Sequence, residues 1–150
     1  MKGPLRIPAA ALATTLGTGF FPFGPGTVGS LVAAALFFFT PAHLRLPLLP
    51  VILLFGWAGC EAGRKMWGED PSRVTADEFA GCWISCLAAP SSWGLQGIAA
   101  AFLLFRLFDI AKPWPVSALD RIKTGLGILL DDVAAGVIAA VVLLLLDMVI

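Results

Sequence analysis

The sequence has few charged residues. Only 13% of its 150 residues are Asp, Glu, Lys or Arg, whereas 59% are hydrophobic. Together with a mean hydropathy of +0.91, this composition is typical of a membrane protein and not of a soluble domain. The formal net charge is zero and no basic run is interleaved with aromatic residues, which excludes a nucleic-acid partner. We therefore expect one membrane domain over residues 1–150.

Thiol and imidazole ligands are also scarce. The three cysteines form no CxxC pair, and Cys60, Cys82 and Cys86 all stand among apolar residues. They are predicted to be small buried packing residues, not disulfide or zinc ligands. His43, the one histidine, falls in a predicted loop. The sequence also has no GK[ST] loop, no C-x5-R loop and no DxDx[TV] motif, so nucleotide-binding, cysteine-phosphatase and aspartyl-phosphate mechanisms are disfavoured.

Long apolar stretches predict an all-α integral membrane bundle of about four to five membrane-embedded helices. These stretches cover residues 28–39, 46–60, 79–108 and 133–150, and a turn around Pro90 splits the third into two. Several are shorter than the roughly 20 residues that cross a bilayer. Ser72, after Pro71, is predicted to cap the third helix and so to lengthen it.

The charges fall on one side of this bundle. Alternate threading of five helices places every Lys and Arg except Arg45 on the side of the N-terminus, Lys2 included. The positive-inside rule makes that side the cytoplasm. Every acid except Asp147 falls there too, Asp70 included. Because acids contribute little to orientation, their placement needs another reason.

Acidic residues stand where three predicted helices meet the cytoplasmic face. Ionised carboxylates near hydrocarbon are costly unless they are paired or bound to a metal. Oxygen-only ligands without His or thiolate suit a hard cation such as Mg²⁺. The candidate metal ligands are Asp77, Glu78, Asp109, Asp131 and Asp132.

These acids also have a purely structural interpretation. Asp131 or Asp132 is a natural helix N-cap. Asp109 ends a helix, where the dipole is unfavourable, and Arg106 and Lys112 lie three residues to either side. The three charges could form an ion-pair ladder that anchors the helix, or the two cations could bind a phosphoryl group beside the metal.

A glycine-rich stretch, "GTGFFPFGPGTVGS", precedes the first long apolar helix. Its last hydroxyl residues, Thr27 and Ser30, fall at the predicted helix N-terminus, where Thr27 could cap and free backbone N–H groups could receive an anion. A plain membrane-entry turn explains the stretch equally well.

Four motifs in order give the chain a family resemblance. "GTGFFPFGPGTVGSL", "DPSRVTADEFAG", "FRLFDIAKPWP" and "GLGILLDDVAAG" together cover most of its length. With these motifs the chain resembles the bacterial phosphatidylglycerophosphatase A family. The resemblance implies removal of the terminal phosphate from phosphatidylglycerophosphate, a lipid substrate, to give phosphatidylglycerol. It also implies Mg²⁺ as cofactor and a multi-pass position in the bacterial inner membrane, with the site on the cytoplasmic face among membrane lipids.

The expected mechanism is in-line attack on phosphorus by a water that Mg²⁺ acidifies, with the cations stabilising the phosphoryl oxygens. Asp131 or Asp132 could be the base instead of a ligand. The predicted catalytic residues are Asp131, Asp132, Arg106 and Lys112, and the predicted substrate-binding residues are Thr27, Ser30, Arg106 and Lys112. A small cation transporter and a structural membrane subunit are the alternatives; the oligomeric state is left open.

Overall fold

The computed structural model describes residues 6–69 and 71–150, and this part of the chain is all-helical. This confirms the predicted α class. Lys2 and Asp70, which were counted on the cytoplasmic side, lie outside the described residues. The α-helices are α1 (Arg6–Ala13), α2 (Pro25–Phe39), α3 (Ala42–Arg45), α4 (Leu49–Trp67), α5 (Ala76–Leu87), α6 (Leu95–Ala111), α7 (Val116–Leu119) and α8 (Gly125–Asp147), with 3₁₀ turns at Thr18–Phe20 and Ser91–Trp93.

α8 is the central helix of the bundle. It packs against α4, α5, α6 and α7, while α2 covers the far side of α5 and α6. Glycines bring α5 and α8 together: a Cβ on Gly136 would lie 2.3 Å from the carbonyl oxygen of Gly81. A Cβ on Gly81 would in turn lie 2.5 Å from the carbonyl oxygen of Asp132. Small residues therefore allow the backbones to touch, as in many membrane helix pairs.

α5 begins later than its sequence suggested, so the predicted cap at Ser72 is wrong. Pro71 accepts a hydrogen bond from Val74 N at 3.0 Å, and Thr75 N donates to Ala13 O at 3.0 Å. These bonds turn the chain before the helix starts at Ala76. The 12 residues of α5 span about 18 Å at 1.5 Å per residue, less than the roughly 30 Å of a bilayer's hydrocarbon core.

One helix of the described part, α8, is long and apolar enough by length and composition to cross a membrane. α2 is apolar but shorter. The core around α5 and α8 includes Cys82 and Cys86, and Cys60 of α4 packs in a smaller cluster. All three thiols are free and fully buried, which confirms their predicted packing role.

Arg45, the one basic residue predicted to lie on the opposite side, stabilises the end of α2. Its Nε donates to Thr40 O at 2.9 Å at the end of α2, and its guanidinium lies 4.5 Å from the centre of the Phe37 ring. Trp83 Nε1 donates to Arg45 O at 3.0 Å. Arg45 therefore closes the end of α2 that lies away from the acids.

Candidate active site

The first turn of α5 carries Asp77 and Glu78, and a group of threonines holds it in place. The fully buried Thr75 precedes the helix, and its Oγ1 lies 2.8 Å from Thr18 Oγ1. It also donates to Thr15 Oγ1 at 3.1 Å. These bonds tie the start of α5 to the segment after α1, so the two carboxylates emerge from a fixed backbone.

α8 supplies Asp131 and Asp132 from within the helix. Thr124 is the N-cap, and its side chain accepts from Gly127 N at 3.1 Å. The prediction that Asp131 or Asp132 caps this helix is therefore wrong, because the helix starts at Gly125, well before them. Both are buried side chains that face the start of α5.

Glu61 of α4 fixes the first residue of α8. Its Oε2 accepts from Gly125 N at 3.2 Å, and Arg64 and Lys65 form ion pairs with its Oε1 at 2.9 and 3.3 Å. A Cβ on Gly125 would lie 2.6 Å from Glu61 Oε2, so only glycine allows this approach. α4 thereby sets where α8 enters the bundle.

The end of α6 separates the three charges whose spacing suggested a ladder. Arg106 forms an ion pair with Asp109 on the same helix. α6 ends at Ala111, and the next residue, the C-cap Lys112, has a φ of 45° and is followed by Pro113. Lys112 Nζ therefore reaches other elements, bonding to Asp120 and, at 3.1 Å, to Asp131 Oδ2. The ladder forms in its Arg106–Asp109 half, and Lys112 links α6 to α8.

These elements enclose an acidic cavity of about 110 Å³. The cavity is lined by all five predicted metal ligands and by one of the two predicted phosphate-binding cations. The lining residues with charged side chains are Asp77, Glu78, Asp109, Lys112, Asp120, Lys123, Asp131 and Asp132. The structure thus brings together acids that the sequence places more than fifty residues apart.

Three of these carboxylates form a closer group, the acid trio of Asp77, Glu78 and Asp132. One oxygen from each lies within 4.8 Å of the others. Asp77 Oδ1 and Glu78 Oε2 are buried and have no hydrogen-bond partner in the described part of the chain. Unpartnered buried carboxyl oxygens are costly, and an all-oxygen set of this kind suits Mg²⁺. The trio therefore fits a hard divalent cation.

The remaining acids of the cavity are neutralised by neighbouring cations. Asp109 pairs with Arg106, and Asp131 and Asp120 share Lys112. The hydrogen bond from Lys112 lowers the pKa of Asp120. Burial alone would lower the pKa of Lys112, but its bonds to Asp120 and Asp131 outweigh that effect and raise the pKa. Lys112 is therefore a charged ammonium at neutral pH.

Comparison with known proteins agrees with this arrangement. The phosphatidylglycerophosphatase A family model matches residues 11–147. A protein of Escherichia coli named phosphatidylglycerophosphatase A is 37% identical over 88% of this chain and 79% of its own length. Its Haemophilus influenzae namesake is 38% identical over 94% of this chain and 90% of its own. A Bacteroides thetaiotaomicron protein provisionally named phosphatidylinositol-3-phosphatase is 44% identical over 91% of each chain.

The chain belongs to the phosphatidylglycerophosphatase A family. This confirms the resemblance drawn from the four motifs and the prediction that the chain is an enzyme, a phosphatidylglycerophosphatase. No solved structure matches the chain.

Thr27, Ser30 and Arg106 do not line the acidic cavity of this phosphatidylglycerophosphatase A family member. The expected Thr27 cap is wrong, because Gly24 in the left-handed region and Pro25 start α2 before it. Thr27 is exposed, whereas the buried Ser30 donates its hydroxyl to Gly26 O at 2.7 Å. Arg106 is mostly buried and its Nε has no partner in the described part of the chain.

Sequence reasoning missed Asp120 as a site residue. It lies directly after the short α7, in a loop that returns from the end of α6 to the start of α8. The sequence did contain one signal for it. Asp120 lies between Lys112 and Lys123, and an acid between two lysines is a natural ion-pair partner for them. The loop's fold, which brings Asp120 back to Lys112, is not readable from that spacing.

Proposed function

We propose that this protein removes the terminal phosphate of phosphatidylglycerophosphate in a Mg²⁺-dependent reaction at the cytoplasmic face of the bacterial inner membrane. Family membership supports the reaction and the substrate. The observation that carries the site is the acid trio with its unpartnered oxygens, beside a lysine that faces the same cavity.

Asp77, Glu78 and Asp132 are the residues that would hold Mg²⁺. When bound, the ion supplies Lewis acidity toward a phosphoryl oxygen and lowers the pKa of a water molecule. Asp109 and Asp131 line the same cavity but form ion pairs with Arg106 and Lys112, so they are not assigned as metal ligands. Their role is to orient the cations and, for Asp131, to accept a proton from the attacking water.

Lys112 is the residue that meets the phosphate. Its ammonium faces the cavity between Asp120 and Asp131, and phosphate oxygens would compete for the same donors. Its charge is fixed in position before the substrate arrives, which is the condition for electrostatic stabilisation without reorganisation. Arg106 neutralises Asp109 and so reduces the negative charge of the cavity that the phosphate enters.

A multi-pass arrangement is the proposal for the membrane. The 15, 19 and 17 residues of α2, α4 and α6 correspond to about 22, 28 and 26 Å at 1.5 Å per residue. Large apolar side chains are exposed along these helices, among them Phe39, Val51, Leu54 and Leu103. Arg106 and Lys112 pair with acids of the cavity, and Arg64 and Lys65 pair with Glu61 at the start of α8. These basic residues support that end of the bundle as cytoplasmic.

Phosphatidylinositol 3-phosphate is a second candidate substrate. It is favoured by the name of the 44% identical relative from Bacteroides thetaiotaomicron. Both lipids present a phosphate monoester on a polar headgroup. The acid trio and Lys112 would serve both, so the discrimination must come from contacts to the rest of the headgroup.

Phosphate release from the purified protein tests the proposal. Phosphatidylglycerophosphate and phosphatidylinositol 3-phosphate are supplied in mixed micelles, with Mg²⁺ or with a chelator. We expect release that requires Mg²⁺ and a higher kcat/KM for phosphatidylglycerophosphate. No release from either lipid by folded protein overturns the hydrolase. Release that is unaffected by the chelator overturns the metal, and the reverse preference assigns the second substrate.

Reporter fusions test the membrane arrangement separately. Fusions after Trp93 and at the C-terminus should report the periplasmic side, and a fusion at Ser72 the cytoplasmic side. A cytoplasmic C-terminus would contradict the alternating path and leave the acids without a common side.

A further inference from the structure

An apolar groove of about 410 Å³ runs between α2 and α6 on the outside of the bundle. Its floor is formed by the buried Ala34 and Ile98, and its walls include Leu31, Phe38 and Phe102. No charged or polar side chain lines it. The groove is separate from the acidic cavity and lies on the outer surface of the core, where a ligand from outside the described part of the chain can enter it.

Both walls of the groove lead toward the acidic site. On α6, Phe102, Arg106 and Asp109 follow at spacings of four and three, which places them on one face of the helix. On α2, Leu31 and Thr27 share a face one turn apart. One turn beyond its lining, the groove therefore ends between a cation on α6 and an exposed hydroxyl on α2.

The start of α2 connects this end of the groove to the acid trio. A Cβ on Gly26 would lie 2.2 Å from Glu78 Oε1, so the backbone beside Thr27 touches one of the carboxylates. On the other wall, Asp109 pairs with Arg106 and also lines the acidic cavity. The groove and the cavity are thus joined through residues of both helices.

The groove lies at the depth of the acyl chains in a bilayer. Along α6, Phe102 and Leu95 lie about 10 and 21 Å before Asp109 at 1.5 Å per residue. Half of a hydrocarbon core about 30 Å thick is roughly 15 Å. With Asp109 at the surface, the groove therefore begins among the acyl chains of that leaflet, and its far end at Leu95 lies past the midplane.

We propose that the groove between α2 and α6 holds one acyl chain of the phospholipid substrate, an inference that rests on the proposed function. Arg106 and Thr27 contact the headgroup at the end of the groove nearest the acid trio. The chain gains little from hydrophobic transfer, because the surrounding lipid is equally apolar. Its benefit is positional. A chain seated in the groove restricts where the phosphate can lie, and such restriction lowers the barrier to reaction.

Two exposed alanines make the inference testable. Ala35 and Ala99 line the groove, one on each helix, and their small side chains leave it open. Ala99→Phe and Ala35→Phe fill it without entering the core, and Ala99→Leu fills it partly. Val141→Phe on α8 is the matched control, since it enlarges a half-exposed side chain at similar depth and outside the groove.

The measurement is kcat/KM with Mg²⁺ for dioleoyl- and dihexanoyl-phosphatidylglycerophosphate in detergent. Hexanoyl chains are too short to fill the groove. For the filled variants we expect the dioleoyl value to fall roughly ten- to a hundredfold, the loss that a misplacement of about 1 Å produces. The dihexanoyl value should change by less than about twofold. Ala99→Leu should give an intermediate loss, and Val141→Phe should match the unmodified protein.

Other outcomes overturn the inference. Equal loss on both lipids means that filling the groove damages the site itself, and no loss on either means that no substrate chain uses it. Equal loss together with a smaller particle mass in detergent means that a second copy of the chain occupies the groove. If the unmodified protein releases phosphate from neither lipid, the proposed function is wrong. If it is active and the groove-filling variants are equally active, only the acyl-chain site is wrong.

Discussion

The acidic cavity has two halves that differ in how their carboxylates are satisfied. In one half, Asp109 and Asp131 accept from Arg106 and Lys112. In the other, Asp77 and Glu78 each keep a buried oxygen without a partner in the described part of the chain. The same cavity therefore contains an ion-paired half and an unpaired half, whose buried carboxyl oxygens could bind a further cation.

The difference teaches how a small bundle can receive an anionic substrate with acidic residues. A set of acids alone would repel a phosphate. The paired half presents cations held by carboxylates, and a divalent ion bound by the trio, as proposed, would reverse the local field. Removing a residue from each half should consequently produce different changes in stability as well as in activity.

Asp132→Asn should give the largest effect, because it removes one ligand of the trio. Loss of several kcal/mol of metal-derived stabilisation corresponds to a fall in kcat on the order of 10³-fold. Without Mg²⁺ the thermal midpoint should not fall, since one of three buried carboxylates with oxygens within 4.8 Å of one another is removed. The rise in midpoint that Mg²⁺ gives the unmodified protein should disappear.

Asp147→Asn is the matched control for this substitution. It makes the same change on the same helix, at the exposed end away from the cavity, and should leave both readouts unchanged. An Asp132→Asn protein that turns over normally and is still stabilised by Mg²⁺ would remove the metal from the trio.

Lys112→Met should lower kcat by about 10²-fold, the usual cost of removing one donor that stabilises developing charge. It also leaves Asp120 and Asp131 without their shared cation, so the protein should be less stable. Lys112→Arg should recover part of the activity because it keeps the charge. Arg121→Met, an exposed cation of the same loop that does not line the cavity, serves as control. Equal kinetics for the two Met variants would exclude Lys112 from phosphate binding.

Asp109→Asn should lower turnover by about tenfold, as loss of a partner that orients a site residue does. It should also reduce the free energy of unfolding by roughly 3 kcal/mol, because Arg106 keeps its buried charge without a counter-ion. The Arg106→Met/Asp109→Asn double variant should regain most of that stability and remain slow. Near-normal turnover of Asp109→Asn would mean that the pair only anchors α6.

The long apolar stretches predicted the all-α class, and the acids at the predicted helix ends gave the five carboxylates that line the cavity. Helix starts were predicted less well, because hydrogen bonds between distant segments decide them. Thr75 N bonds to Ala13 O and delays α5, and Thr124 caps α8 in place of the aspartates. The division of the acids into paired and unpaired halves depends on the direction of the Lys112 side chain after α6 ends. That direction cannot be predicted from the sequence spacing between Lys112 and Asp109.

Glu61 should show the smallest effect, since it acts on the site through the start of α8. Glu61→Ala removes the acceptor of Gly125 N, which should cost about 1 kcal/mol of stability and reduce kcat a few-fold by loosening the helix that carries Asp131 and Asp132. Glu61→Gln keeps an oxygen for Gly125 and should behave almost like the unmodified protein; Glu69→Ala, exposed beyond the end of α4, is the control. If the Ala and Gln variants lose activity equally, the charge that pairs with Arg64 and Lys65 positions α8, and not the hydrogen bond. The loss of kcat in Glu61→Ala, compared with that in Asp132→Asn, then shows how strongly the unpaired half depends on a contact outside the cavity.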